Sequence, residues 1–247
     1  MTSRPISVAA PTRVRERLAA AAAGPRPVLH ASASAIYVDL DGWCLGLVSA
    51  SATRVPCALW SSLPDLSLVD HGEIRVEGGT LHLGDEPVRI TRLVDVRVPA
   101  LGAVGNRRSE RAACLVTSAG LTLPVDGRLT VTHLDRLLGR GPGLTPLGDD
   151  VLAGWFAARH AADHPDRVLA AAVRRRLVVT TLLSATLLDC ALQGEVLPQL
   201  GAWLAEPNDT TTEALLAVGA TSGAGLLIGA GLALTSITDR DHPGRAA

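Results

Sequence analysis

Residues 139–154, with the sequence GRGPGLTPLGDDVLAG, combine a glycine-rich turn with two adjacent carboxylates. The start of this stretch can adopt positive φ angles and lie close to a ligand because three of its residues lack a side chain: Gly139, Gly141 and Gly143. Thr145 and Pro146 have the form of an N-cap followed by proline at the first helical position. Backbone N–H groups at a helix start bind anions, so the stretch predicts an anion-binding turn.

Asp149 and Asp150 fall in the first turn of the predicted helix, where negative charge is stabilised by roughly 0.3–1 kcal/mol. Because adjacent carboxylates repel each other, helix stabilisation alone favours only one of them. The pair could hold a hydrated Mg²⁺ ion, or one carboxylate could orient a substrate amine or ammonia group. Gly148 is about 1 kcal/mol worse than alanine in a helix, which indicates close packing or close approach of a ligand. The structural alternative is that the acids stabilise the helix dipole and the glycines only form a turn.

A second segment, VVTTLLSAT at residues 178–186, carries hydroxyl groups at helical spacing. On a helix, Thr180 or Thr181 shares a face with Ser184, because residues three or four apart are neighbours. Such hydroxyls often only accept from or donate to the preceding turn of the same helix. Taken alone, this segment therefore favours a structural role for its hydroxyls.

The third segment is GATSGAG at residues 219–225. Thr221 or Ser222 could cap the following helix, and Gly223 permits a tight joint. It shares glycine, hydroxyl and helix start with the first stretch, and two such helix N-termini facing one cavity would form an anion site. A plain turn between two helices explains the segment equally well.

The cysteines, the histidine pair and the overall charge give no signal for a zinc site or for nucleic-acid binding. The four cysteines form no C-x-x-C pair and lie among apolar residues, which is typical of buried structural thiols: Cys44, Cys57, Cys114 and Cys190. His160 and His164 have the spacing of a helical metal pair but lack the intervening glutamate of zinc proteases. The net charge of −1 and pI near 6.6 predict no attraction to nucleic acid or to an anionic membrane.

The sequence also predicts a cytoplasmic location without a membrane span. The N-terminus has basic residues on both sides of its short apolar runs and resembles no secretory signal. Residues 214–237 carry no charge, but they are rich in glycine and alanine and lack flanking basic clusters. This segment predicts two buried helices joined by a tight polar turn.

The order of elements predicts an α+β protein with a β-rich N-terminal half of antiparallel strands and an all-α C-terminal half. After a helix at 12–23, strands are expected at 35–40, 44–48, 55–60, 73–77, 80–83 and 88–98. Gly78-Gly79 is a strong two-residue hairpin signal. Residues 109–118 could form a helix, and later helices are expected at 134–138, 149–160, 166–192, 196–205 and 212–235, the last broken near 219–223. We expect domains at 1–127 and 128–240, and a disordered tail at 241–247.

With these segments identified, the C-terminal half resembles the AllH-like proteins, a bacterial family of which one branch is associated with oxamate carbamoyltransferase of anaerobic allantoin degradation. The sequence GPGLTPLGDDVLAG at 141–154 is similar to the family signature G-x-G-L-T-P-S-G-D-D-x-L-x-G. The Thr181 and Ser184 segment and the 219–223 segment are similar to its T-x-x-S and G-x-[ST]-S-G motifs. Leu147 stands where the family has serine, and Ala224 and Gly225 stand where an aspartate often follows.

The resemblance implies a cytoplasmic subunit in nitrogen or purine catabolism that acts with other protein subunits on a small anionic substrate, carbamoyl phosphate or a carboxylate. It implies that Asp149 and Asp150 are catalytic or bind Mg²⁺. The same cavity would be formed by substrate-binding residues from all three segments: Gly141, Gly143, Thr145, Gly148, Thr181, Ser184, Thr221, Ser222 and Gly223. The phosphate would need a cation from a partner subunit or from the arginines at 174–176.

Two alternatives remain at this point. The departures at Leu147 and Gly225 favour a non-catalytic subunit that binds a small molecule or serves as a scaffold in a multi-subunit complex. The aspartate pair also suits a Mg²⁺-dependent hydrolase.

Overall fold

The computed structural model describes residues 5–67, 72–101, 123–124 and 126–241. The chain forms two compact units, Met1–Val96 and Arg97–Ala247. The predicted domain boundary near Gly127 lies inside the second unit, next to a stretch that is not described, and remains a prediction. The helix expected at 109–118 and all but the first residue of the tail expected at 241–247 lie outside the described residues.

The first unit contains a nine-stranded sheet in its described residues, with the strand order β2-β7-β8-β9-β1-β6-β5-β4-β3. Its elements are β1 (Ile6–Pro11), α1 (Thr12–Ala20), β2 (Gly24–Pro25), β3 (Val28–Ala31), β4 (Ala35–Asp39), β5 (Cys44–Val48), β6 (Ala58–Ser61), β7 (Ile74–Glu77), β8 (Thr80–Leu83) and β9 (Glu86–Val94). Neighbouring strands are antiparallel except for the pairs β1–β9 and β5–β6, which are parallel. The α+β class with a β-rich N-terminal half is confirmed.

Local sequence explains some of these strands better than others. The hairpin of β7 and β8 turns at Gly78 and Gly79, whose φ angles of 54° and 74° favour glycine. The central strand β1 and the strand β3 were absent from the sequence prediction. In β1 the buried residues alternate with more exposed ones from Ile6 to Ala10, and Pro11 is buried as well.

The second unit is helical in its described residues, which confirms the all-α C-terminal half. Its helices are α2 (Leu134–Leu137), α3 (Leu147–Ala161), α4 (Arg167–Arg174), α5 (Leu182–Ala191), α6 (Pro198–Ala205), α7 (Asp209–Leu216) and α8 (Ser222–Asp241). The single helix expected at 166–192 is wrong, because a 3₁₀ turn at Leu177–Val179 and two extended residues separate α4 from α5. The break expected near 219–223 is confirmed by the join between α7 and α8. No helix among the described residues is both long and apolar enough to cross a bilayer.

The core of the second unit is built around α3 and α8. These helices lie so close that a Cβ atom added to Gly229 would stand 1.8 Å from the carbonyl oxygen of Val151. One added to Gly154 would stand 2.0 Å from that of Leu226. Leucine, valine and alanine side chains fill the surrounding core, together with Trp155 and Trp203. The contact positions the N-terminal turn of α3 beside that of α8.

Candidate functional site

The loop before α3 has the backbone that its glycines predict, with φ angles of 71° at Gly139, 128° at Gly141 and 88° at Gly143. The prediction of Thr145 as the N-cap is wrong, because α3 begins at Leu147 and Pro146 is the residue before it. The Thr145 hydroxyl is instead 2.9 Å from the hydroxyl of Ser222. This hydrogen bond joins the first segment to the third across the N-terminal turns of α3 and α8.

Asp149 is buried and its carboxylate is occupied by protein donors. The Gly139 N–H donates to Oδ1 at 2.7 Å, and the Ser184 hydroxyl donates to Oδ2 at 2.7 Å. The Thr180 hydroxyl also donates to Oδ2. Asp149 therefore ties the glycine-rich loop to the segment that begins α5.

Only glycine fits at position 139. A Cβ atom there would stand 2.6 Å from the carbonyl oxygen of Val179, and the φ angle of 71° is unfavourable for other residues. The close approach brings the loop against the 3₁₀ turn before α5. The glycine thus allows the backbone contact that the Asp149 hydrogen bonds hold in place.

Asp150 has a different environment from its neighbour, although it is only 6% exposed. Its Oδ2 atom is buried without a hydrogen-bond partner among the described residues. Burial raises the pKa of the Asp150 carboxyl to about 7; a hydrogen bond with Ser222 lowers the pKa, and the charge of Asp149 raises it. A buried carboxyl that titrates near neutrality and has an unused oxygen is a candidate for substrate contact.

The surroundings of Asp150 explain why its carboxyl is desolvated. A Cβ atom added to Gly225 would stand 2.7 Å from the Cβ of Asp150 and 3.0 Å from Cδ1 of Leu147. Gly225, one of the positions at which this chain departs from the family signature, therefore lies against both Asp150 and Leu147, another such position.

The hydroxyl residues of the second segment have structural contacts. Thr181 is the N-cap of α5: its side chain accepts from the Ser184 N–H at 3.1 Å and donates to the carbonyl oxygen of Leu144. Thr180, rather than Thr181, shares Asp149 with Ser184. The expected helical face does not exist, because Thr180 and Thr181 precede the helix.

Several residues that were predicted to bind the ligand either pack against neighbouring backbone or are exposed. Gly148 and Gly223 lie against backbone, since added Cβ atoms would stand 1.9 Å from the carbonyl oxygens of Leu137 and Leu215 respectively. Gly141 lies against the N-terminal turn of α3, while an added Cβ at Gly143 would meet open space. Thr221 is exposed just before α8.

The magnesium-binding role of the aspartate pair stays a prediction. Asp149 turns toward Gly139 and Ser184, whereas Asp150 lies against Gly225 of α8, so the two carboxylates have different partners. Within the described parts of the chain, no three histidine, cysteine, aspartate or glutamate side chains are grouped as metal ligands. His160 is instead 3.0 Å from the carbonyl oxygen of Leu192 through Nε2.

A cavity of about 570 Å³ adjoins the glycine-rich loop. Its lining includes Gly139 and Val179 together with two cations, Arg140 and Arg176. The sequence prediction did not include Arg140 as a site residue, although it lies within the glycine-rich stretch, and it mentioned the arginines at 174–176 only as a group. Arg176 reaches the loop only because the chain turns between α4 and α5.

Comparison with known proteins identifies one relationship. Residues 137–234 match the family model described as oxamate carbamoyltransferase subunit AllH, which confirms the resemblance over this part of the chain. The match includes α3, α5, the first part of α8 and all three segments of the site. No curated protein and no solved structure matches the chain.

Proposed function

We propose, from the premise that residues 137–234 belong to the AllH-like family, that this chain is a carbamoyl-transfer subunit in which Asp150 contacts the substrate. The family description names a carbamoyltransferase subunit, which supports the reaction class and the presence of other subunits. The single observation that carries the role of Asp150 is its buried Oδ2, which has no partner among the described residues. An N–H group of a substrate would satisfy that oxygen.

Transfer from carbamoyl phosphate to an amide nitrogen of the oxamate class requires a proton acceptor. The nitrogen forms a bond to the carbamoyl carbon, the bond from that carbon to the phosphate oxygen breaks, and phosphate leaves with the electron pair. One N–H proton passes to the Asp150 carboxylate. A base with a pKa near 7 is well matched to this step, and burial brings the pKa of Asp150 to about 7.

Asp149 acts on this reaction as a positioning residue. Its oxygens hold the Gly139 backbone and the Ser184 hydroxyl, so the loop keeps one conformation beside the N-terminal turn of α3. Fixed geometry around the reacting groups contributes to catalysis because the alignment is made before the reaction. At the start of α3 the N–H groups of Gly148, Asp149 and Asp150 donate to backbone carbonyl oxygens, so an anionic substrate there would be favoured by the helix dipole and not by these N–H groups.

The wider setting follows from the same family. We propose that the protein works in the cytoplasm, in nitrogen catabolism of the allantoin type, within a complex of several subunits, and that its substrate is carbamoyl phosphate or a related carboxylate.

The test is carbamoyl phosphate-dependent phosphate release with oxamate as acceptor, measured on the chain alone and co-purified with the proteins encoded beside it. We expect Asp150→Asn to lower kcat by about 10²–10⁴-fold, because the general base is lost. For the wild type, kcat/KM should rise with pH through about 7 as Asp150 ionises, and the variant should lack this rise. The matched control is Asp163→Asn, an exposed aspartate just after α3 whose φ of 57° asparagine tolerates.

Full activity in Asp150→Asn would contradict the proposal. A stable complex without carbamoyl phosphate-dependent activity would support the alternative, a non-catalytic binding or scaffold subunit. That alternative is favoured by Leu147 and Gly225, which leave the Asp150 carboxyl without a further polar neighbour. Size-exclusion chromatography after co-expression separates the two, because a scaffold must form the complex whether or not Asp150 is changed.

A further inference from the structure

The cavity beside the glycine-rich loop has the composition of an anion site. Its apolar part includes Leu134, Leu138 and Val179, and its two cationic residues are Arg140 and Arg176. One carboxylate, that of Asp135, completes the charged lining. A volume of about 570 Å³ lies within the range of small-molecule sites.

Both guanidinium groups donate hydrogen bonds to Asp135, one to its side chain and one to its backbone. Arg176 Nη1 donates to Asp135 Oδ1 at 2.7 Å, and Arg140 Nε donates to the Asp135 carbonyl oxygen at 3.2 Å. A guanidinium carries five N–H donors, so each arginine has donors beyond the one in these bonds. The Asp135 side chain is 78% exposed, and exposed ion pairs contribute little to stability, so an incoming anion can replace it.

The walls of the cavity are held together by the buried carboxylate of Asp149. Gly139, on one wall, donates its N–H to Oδ1. Thr180, which directly follows Val179 on the other wall, donates its hydroxyl to Oδ2. The two arginines are therefore carried by backbone segments that a common buried group fixes, as preorganised binding requires.

We propose that this cavity binds a small oxyanion, a phosphate or carboxylate group, through the guanidinium groups of Arg140 and Arg176, in competition with the Asp135 carboxylate. Planar guanidinium groups bind both oxyanions through paired N–H donors. The inference goes beyond the proposed function, because Asp150 is not part of the cavity lining. It rests on that function only for the chemical class of the natural ligand, a phosphate or a carboxylate.

The test is isothermal titration of the full chain with inorganic phosphate and, separately, with oxamate. We expect Arg140→Gln and Arg176→Gln each to weaken binding about tenfold, because a hydrogen bond to a charged group is lost. Asp135→Asn should tighten binding several-fold, since the competing carboxylate is removed. Arg175→Gln is the matched control, because Arg175 is exposed in the same arginine run and is not part of the cavity lining. The ratio of the two wild-type affinities shows whether phosphate or carboxylate is the preferred group.

The Asp135→Asn variant keeps the experiment decisive, because a poorly folded protein does not bind more tightly. Unchanged binding in both arginine variants, weaker binding in Asp135→Asn, or no binding of either anion to the wild type would overturn the inference. Failure here is separable from failure of the proposed function. If the arginine variants lose phosphate binding but no complex shows carbamoyl-transfer activity, the anion site stands and the proposed reaction fails. If activity depends on Asp150 but this chain binds neither anion, the proposed reaction stands and the anion site fails.

Discussion

The two compact units differ in what they bury. In the described part of the sheet unit, the buried polar residues are Ser49 and Ser61, and the Arg26 side chain, only 7% exposed, pairs with Asp41. The described part of the helical unit buries Arg159 and two adjacent carboxylates, those of Asp149 and Asp150. Burial of a charge is costly unless it is paired or neutralised, so each of these two carboxylates needs hydrogen-bond donors or a proton.

Burial favours the neutral, protonated forms of two titratable side chains in the sheet unit. Burial raises the pKa of the Cys44 thiol to about 12, with a smaller contribution from Asp39. Burial also raises the pKa of the Tyr37 hydroxyl far above its usual range. In the helical unit, burial instead brings the pKa of Asp150 to about 7, where the group can exchange protons. The two units therefore differ in whether a buried group can exchange protons near neutral pH, and the proposed chemistry falls in the helical unit.

The largest expected effect comes from removing the buried carboxylate that is fully paired. Asp149→Ala leaves the Gly139 N–H and the Ser184 and Thr180 hydroxyls without their acceptor, so we expect a loss of about 3–5 kcal/mol in the free energy of unfolding. Ser61→Ala is the counterpart in the sheet unit, since it removes one hydroxyl that donates to the Val48 carbonyl oxygen at 2.9 Å, and should cost about 1 kcal/mol. Urea unfolding of both variants measures the difference, and equal losses would remove the contrast between the units.

A change of opposite sign is expected at Asp150. Because its folded-state pKa of about 7 lies above the ordinary value of an aspartate, protonation stabilises the folded state at acid pH, and this contribution is lost as pH rises through about 7. Asparagine does not ionise, so Asp150→Asn avoids the cost of burying a charged carboxylate at high pH. The variant should therefore have a free energy of unfolding up to about 4 kcal/mol higher than that of the wild type above pH 8. The measurement is urea unfolding between pH 4 and pH 8.5. A pH-independent difference between the two proteins would show that Asp150 does not titrate abnormally.

The smallest effect concerns reactivity in the sheet unit. At pH 8 the Cys44 thiol, with its pKa raised to about 12 by burial, should be almost entirely protonated and unreactive. Peptide mapping after iodoacetamide treatment should find Cys44 unmodified in the folded protein and modified in urea. Rapid modification of the folded protein at Cys44 would indicate a reactive site in the sheet unit, contrary to the comparison.

Prediction from sequence succeeded where local chemistry decides the structure. The hairpin at Gly78-Gly79 follows from the positive φ angles that its turn requires, and the break between α7 and α8 follows from the glycines around Ser222. It was wrong where distant groups decide. The break before α5 occurs at Thr181, whose hydroxyl caps that helix and also donates to the carbonyl oxygen of Leu144 in the glycine-rich loop, far away in the chain. β1 was missed because its position between β9 and β6 is a property of the sheet.

The sequence by itself determined the resemblance of residues 137–234 to the AllH family model, the α+β class and the presence of two carboxylates at one helix start. The tertiary structure alone decided that these carboxylates differ. Successive residues of a helix point about 100° apart, so Asp149 faces the loop and α5 while Asp150 faces α8. Donors supplied by Gly139, Thr180 and Ser184 stabilise the charge of the first, and close packing against Gly225 leaves the second desolvated. Neither environment can be read from two adjacent aspartates, because each is produced by residues far away in the chain.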